Sequence, residues 1–337
     1  MLFNSLTYIY GFLPAVLVGY VILGKIGNRN AIMAWLIAAS LFFYAWWNPA
    51  YLWLLLFSAT ANFIISRYLN KYSSKLILTA GVVLNLSLLC YFKYANFFID
   101  TINQSLKTSF NLETIILPLA ISFFTFQQIG YLVDLYKGNA KKHPFMHYLL
   151  FVTFFPQLIA GPIIRHHEMF PQFKDKLFGK IRGNNIALGI SILSIGLFKK
   201  VVLADSLALI ADPVFSDITS GSVSSAQAWL GLLAFSFQIY FDFSGYTDMA
   251  IGSAMLFGIR LPQNFNAPYK SLNVREFWHK WHITLSRFLR DYLYIPLGGN
   301  RKRKFRTLIH HAPRRALARQ CLGIYFMGRS ARTISCY

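Results

Sequence analysis

Eight apolar stretches, at about 7–24, 31–48, 50–66, 75–97, 115–135, 146–164, 184–210 and 226–258, leave this chain few ways to fold. Several reach the roughly 20 residues needed to cross a bilayer core. Inside hydrocarbon every backbone N–H and C=O must be paired within the protein, so such stretches must be helices. The expected fold is an all-α polytopic membrane protein, with about 8–10 hydrophobic helices. Composition agrees: 55% of residues are hydrophobic and 13% charged, against about a quarter charged in soluble domains. Pro156, Gly161 and Pro162 interrupt the sixth stretch and predict a re-entrant or broken helix, and 226–258 is long enough for two segments or one span with a broken end.

The formal net charge of +21 could suit nucleic-acid binding. Its placement favours a topological role and no nucleic-acid partner. Lys25, Arg29, Arg67, Lys71, Lys75, Lys137, Lys141 and Lys142 fall in alternate turns, whereas the intervening turns at 47–50 and 98–114 hold only Lys107. Lys/Arg-rich turns stay on the cytoplasmic side, which sets the N-terminus outside. The first stretch lacks a basic leader and is long enough to span, so it reads as a helix and not a cleaved signal. Cys90, Cys321 and Cys336 show no paired spacing, so no disulfide framework is expected.

Three patches break the apolar pattern: Phe154–Phe173, Phe235–Ile259 and Glu276–Gly299. In the second, Gln238, Asp242, Ser244, Tyr246, Thr247 and Asp248 sit within an apolar run. Carboxylates there cost about 2.5–3.5 kcal/mol on insertion scales and therefore face a cavity or a partner. One reading makes these residues the lining of a substrate passage. The other pairs Asp242 or Asp248 with an arginine such as Arg275 or Arg290.

The third patch follows Asn273 and Glu276, an N-x-x-E spacing like a capping box. Read as one helix at about 100° per residue, it gathers Phe277, Trp278, Trp281, Leu285, Phe288 and Tyr292 on one face. Arg275, Lys280, Thr284, Ser286, Arg287, Arg290 and Asp291 occupy much of the other, with His282 at the seam. A partly desolvated imidazole suits proton transfer near neutral pH; the plainer reading is an interfacial histidine bonded to backbone. Glu276, His279 and His282 spread too far around a helix to hold a metal ion together, and no metal site is expected. His166 and His167 diverge, which favours a loop role over ligation.

Together, "FFPQLIAGPIIR", "FDFSGYTDMAIGSAMLFGIRLPQNFNAPY" and "EFWHKWHITLSRFLRDYLYIPLGGN", in this order, resemble the membrane-bound O-acyltransferase (MBOAT) family, in the branch that includes alginate O-acetyltransferase. The resemblance implies a helical bundle around a transmembrane tunnel, placed in the bacterial inner membrane. An acyl donor, acetyl-CoA in that branch, would enter from the cytoplasmic side. A hydroxyl of an exopolysaccharide such as alginate, or of an extracytoplasmic partner protein, would receive the acyl group. No bound cofactor is implied. The W-x-x-W-H context places one of the family's two histidines at His282, with Gln238, Asp242, Ser244, Tyr246, Asp248, Trp278, Trp281, Arg290 and Asp291 as candidates for the tunnel lining.

The second family histidine lies in a G-L-W-H-G motif that this chain lacks. From Arg301 onward there are ten Lys/Arg and no Asp/Glu. Codons compatible with Arg314–Arg332, read one base later, can spell G-G-L-W-H-G-S-A-W-x-F-I-L-W-G-A-L-H-G. Codon degeneracy permits most steps, but tryptophan at Met327 is forced, because ATG followed by the first base of Gly328 reads TGG. The expectation is a membrane domain over 1–306, incomplete at its C-terminal side, followed by an out-of-frame tail over 307–337, and hence an inactive copy. The alternatives are a genuine basic tail touching anionic headgroups and, for function, a transporter or channel with Asp242, Asp248 and His282 lining a pore. A transporter would be favoured by an inverted repeat, and none is visible.

Overall fold

A computed structural model describes residues 1–106, 115–159, 161–217 and 223–298. Among these the chain is helical, with turns and loops and no strand. The expected tail, 307–337, lies outside the described residues.

The helices follow the apolar stretches. A π-helical turn, Thr7–Phe12, runs into α1 (Leu13–Ile26). Next come α2 (Arg29–Ala45), α3 (Leu52–Tyr72) and α4 (Lys75–Leu106). The fifth stretch becomes helical only at α5 (Ile121–Tyr136). Its first residues, 115–118, are not helical: Pro118 disfavours the helical conformation at Leu117, and Ala120, with φ 63°, lies in the left-handed region. After α5 come α6 (Phe145–Thr153), the single turn α7 (Phe155–Leu158), α8 (His166–Lys174) and α9 (Gly183–Leu197). A π-helical segment, Phe198–Ala204, carries α9 directly into α10 (Asp205–Asp217). The 226–258 stretch is one unbroken helix, α11 (Ser225–Leu256). The two short helices α12 (Val274–Lys280) and α13 (Ile283–Leu289) end the described part, followed by a π-helical turn, Arg290–Tyr294. Four helices, Thr7–Ile26, Pro49–Tyr72, Lys75–Ile99 and Gly183–Ser216, are long and apolar enough to cross a membrane. The protein is a multi-pass membrane protein.

Polar contacts sort the turns into two ends. At one end Arg29 donates to the Lys174 carbonyl, the Gly179 N–H donates to the Tyr20 hydroxyl, and Gln172 brackets the Arg260 backbone. At the other, the Tyr44 and Tyr51 hydroxyls donate to the Leu119 and Ile116 carbonyls. The segment from α6 to α8 enters and leaves at the first end. Its turning point, 161–164, is buried although it is not helical. Irregular backbone survives at such depth only where protein or a cavity surrounds it.

Helices α9 and α11 form the tightest pair. A Cβ on Gly196 would sit 2.7 Å from the Gly245 carbonyl oxygen, and one on Gly252 would sit 2.6 Å from the Leu193 nitrogen. The two backbones therefore touch, which small residues allow and larger ones forbid. Elsewhere, Asn62 and Asn85 exchange amide hydrogen bonds of 3.1 and 2.6 Å between α3 and α4.

Candidate functional site

The site forms where two irregular segments meet inside the bundle. The first is the turning point before α8. The second begins just past α11 at Gly258, whose φ of 75° reverses the chain, and runs back along α11 through 259–267. This return path is fastened to the third patch by backbone bonds: Ile283 N–H to the Asn264 carbonyl, 2.9 Å, and Asn266 N–H to the Lys280 carbonyl, 3.0 Å.

Those bonds overturn the single helix expected across Asn273–Tyr292. The Ile283 N–H bonds to Asn264 and not to the preceding helical turn, so α12 stops at Lys280 and α13 starts afresh. Between them, Trp281 is extended and His282 is left-handed, with φ 43° and ψ 56°. Such a conformation costs roughly 1–2 kcal/mol for a residue with a Cβ. The capping box is half present: the Asn273 side chain accepts from the Glu276 N–H. Glu276 reaches instead to the Leu272 N–H and to Lys280, at 2.9 and 2.7 Å.

His282 packs edge-on against Phe243, with centroids 4.9 Å apart, and beside Phe265 at 6.4 Å. Phe243 lies about 20 Å from the C-terminal end of α11, at about 1.5 Å rise per residue. The imidazole is bonded not to backbone but to a side chain, with Nδ1 2.9 Å from Asn264 Oδ1. The same oxygen accepts from the Thr284 N–H at 3.3 Å and the Thr284 hydroxyl at 3.0 Å. Thr284 Oγ1 in turn accepts from the Ile163 N–H, 3.0 Å away, and so ties the two irregular segments together. A main-chain N–H can only donate, so the Asn264 atom facing it is oxygen. His282 Nδ1 must then carry the proton, which leaves Nε2 with its lone pair. Burial pushes the imidazole pKa from 6.5 down to about 3, so the ring is neutral at physiological pH.

Beside this chain of bonds lies a narrow cleft with room for about one water molecule, bordered by Gln127, Ile163, Arg165, His166, Thr284 and Tyr292 among others, and not by His282. Asp134 on α5 accepts from the Tyr292 hydroxyl and faces His166 Nδ1 at 3.3 Å. His166 is therefore no loop histidine: it opens α8 and is buried. Asp291 pairs with Arg165 and with its neighbour Arg290.

The α11 candidates have other engagements. Asp248 pairs with Lys199 at 2.6 Å, and Ser244 accepts from the same ammonium at 3.1 Å. Asp242 pairs with Lys200, which also holds Asp205. The partners are lysines of the π-helical segment, not Arg275 or Arg290. The Tyr246 hydroxyl donates to Asn4. Gln238 is buried, and its Oε1 has no partner among the described residues. Trp281 stacks on Phe277 at 5.6 Å, and Trp278 meets Phe277 edge-on at 5.5 Å. None of the α11 candidates borders the cleft. The residues that sequence reasoning missed as site members are Thr284, two positions after His282, and Asn264, Asp134, Lys199 and Lys200, partners brought from distant positions. The polar Gln263-Asn264 pair between apolar neighbours was the one local signal for Asn264.

The MBOAT, membrane-bound O-acyltransferase, family model matches residues 67–311. Peptidoglycan O-acetyltransferase from Helicobacter pylori is 49% identical over 92% of this chain and 64% of its own length. Probable alginate O-acetylase AlgI from Azotobacter vinelandii is 42% identical over 91% of this chain and 62% of its own length. A teichoic acid D-alanyltransferase from Bacillus subtilis is 31% identical over 52% of this chain and 45% of its own length. The chain thus spans less than two-thirds of the length of these relatives. With the three motifs in order and 67–311 matched, the chain belongs to the membrane-bound O-acyltransferase family.

Proposed function

We propose that the site serves O-acyl transfer from a thioester, with acetyl-CoA as donor, to a hydroxyl of an exported polysaccharide or of an extracytoplasmic partner protein. The hydroxyl oxygen attacks the thioester carbonyl carbon, the C–S bond breaks, and the hydroxyl proton passes by way of imidazole to the departing sulfur. The observation that carries the reading is His282 in its W-x-x-W-H context. It is a neutral imidazole on a strained turn, with Nδ1 engaged by Asn264 and Nε2 left with its lone pair. That nitrogen can hold the acceptor hydroxyl, while a second histidine completes proton transfer; positioned acid–base groups contribute about 10²–10⁴-fold. The relatives' names, which give peptidoglycan, alginate and teichoic acid as acceptors, support the acceptor class.

The orientation follows from the basic end of the bundle. Lys174, Lys176, Lys180 and Arg182 join Lys25 and Arg29 there. This charge supports a cytoplasmic placement, an N-terminus outside and residence in the bacterial inner membrane. It would also attract the phosphates of a CoA donor.

We further propose that the residues after Arg306 are read in a shifted frame, which displaces the family's second histidine. Sequencing the DNA across codons 306–316 tests the frame. Restoring it by one base should yield a protein that transfers acetyl from acetyl-CoA to polysaccharide, whereas the chain as written should transfer none. Transfer by the unaltered chain, or none by the restored one, would overturn the corresponding half of the proposal.

A further inference from the structure

We infer that Asn264 is the positioning residue of the site, fixing His282 in the Nδ1–H tautomer so that Nε2 presents its lone pair to the reactants. The inference rests on the acyl-transfer reading for its purpose, though not for its geometry.

Three observations carry it. First, Asn264 is 1% exposed, and its Oδ1 gathers three donors: His282 Nδ1–H, Thr284 N–H and Thr284 Oγ1–H. Second, the Asn264 backbone carbonyl holds the Ile283 N–H. The backbone and side chain of one residue thereby hold the imidazole and the two residues that follow it in the left-handed turn. Third, Asn264 Nδ2 is buried with no partner among the described residues. An unpaired buried donor is costly, so a residue serving the fold alone is poorly explained as asparagine. Aspartate would accept the same three bonds and bury no idle N–H. Its charge, however, would favour imidazolium over imidazole, and a protonated ring has no lone pair for a hydroxyl. The amide supplies the acceptor without the charge, and its idle N–H remains available to a substrate oxygen.

The test reads the tautomer directly. The 337-residue chain, labelled with ¹⁵N-histidine in lipid nanodiscs, is compared with Asn264→Ala, Asn264→Asp and Thr284→Val; His282→Gln assigns the signals. The native chain should show a protonated Nδ1 and an unprotonated Nε2. Asn264→Ala should mix the tautomers. Asn264→Asp should keep Nδ1 protonated and move ring ionisation to higher pH. Thr284→Val, which removes the hydroxyl link to Ile163 but leaves His282 and Asn264 paired, should lower stability without mixing the tautomers. An Nε2–H native tautomer, an unchanged tautomer in Asn264→Ala, or mixing in Thr284→Val to the same extent would overturn the inference. In the frame-restored protein, Asn264→Ala should lower kcat about 10–100-fold, the usual range for loss of a histidine's orienting partner at metal sites, with KM little changed. Failure of the frame-restored parent to transfer acetyl would sink the functional reading and leave the tautomer result standing.

Discussion

The carboxylates of α11 and the polar groups around His282 both sit within an apolar bundle, yet they are finished to different degrees. Along α11, each carboxylate meets an ammonium from the π-helical segment: Asp248 with Lys199, Asp242 with Lys200. Around His282, Asn264 Nδ2 is left without a partner among the described residues, beside a backbone held at φ 43°. A satisfied ion pair is an architectural device, whereas unmade bonds on a strained turn are kept for something that arrives later. This contrast separates two sets of candidates that looked alike in the sequence.

The largest effect expected from the contrast is on chemistry. In the frame-restored protein, His282→Gln should cut acetyl transfer about 10²–10⁴-fold with little change in thermal unfolding. Lys199→Met should do the reverse, leaving transfer within a few-fold and lowering stability. Radiolabelled acetyl transfer and melting curves on both variants decide the matter. Equal loss of transfer in both would erase the distinction between the two regions.

The ion pair itself should show a mismatch penalty. Removing one partner from a buried pair costs about 3–5 kcal/mol, less where solvent screens it, and both side chains of Lys199–Asp248 are about a quarter exposed. Asp248→Asn alone should therefore cost about 1–3 kcal/mol after that discount, and the double variant Lys199→Met, Asp248→Leu should recover most of it. Denaturant unfolding in detergent gives the cycle; no recovery in the double variant would mean that the pair does more than hold α11 in place. A comparable loss, about 1–3 kcal/mol for overpacking, is expected for Gly196→Leu, because the Gly245 carbonyl leaves no room for its Cβ.

How much of this could be read in advance depends on the range of each signal. Hydropathy is local, so the expected stretches lie within a few residues of helices such as α2, α3 and α11. Proline and glycine at 156, 161 and 162 marked the break between α6 and α8 for the same reason. Partners are not local. Lys199 and Lys200 sit inside an apolar run and meet carboxylates more than forty residues downstream. The break at Trp281–His282 has no proline or glycine to announce it, because it is imposed by backbone bonds to Asn264 and Asn266. A helical wheel drawn through that break put His282 at a seam for a geometry the chain does not adopt. The motif found the residue, and the structure supplied its environment.

The smallest expected effect tests how far two histidines outside the spanning helices are held neutral. Burial, with Lys174, His147 and His166 adding positive charge nearby, pushes His143 down to about 4, and burial pushes His282 down to about 3. Both folded-state values lie below the ordinary 6.5, so the unfolded chain takes up these protons first. The stability that the two neutral rings contribute is therefore complete above pH 6.5 and lost as pH falls toward 4 and then 3. Melting temperature should decline across that window, and His143→Asn should flatten the decline while leaving acyl transfer in the frame-restored protein unaltered. His282→Asn should flatten it as well, but with transfer abolished. A decline that neither substitution changes would assign the acid sensitivity to the carboxylates of the ion pairs. It would also show that the neutral imidazole at His282 contributes nothing to how the bundle tolerates acid.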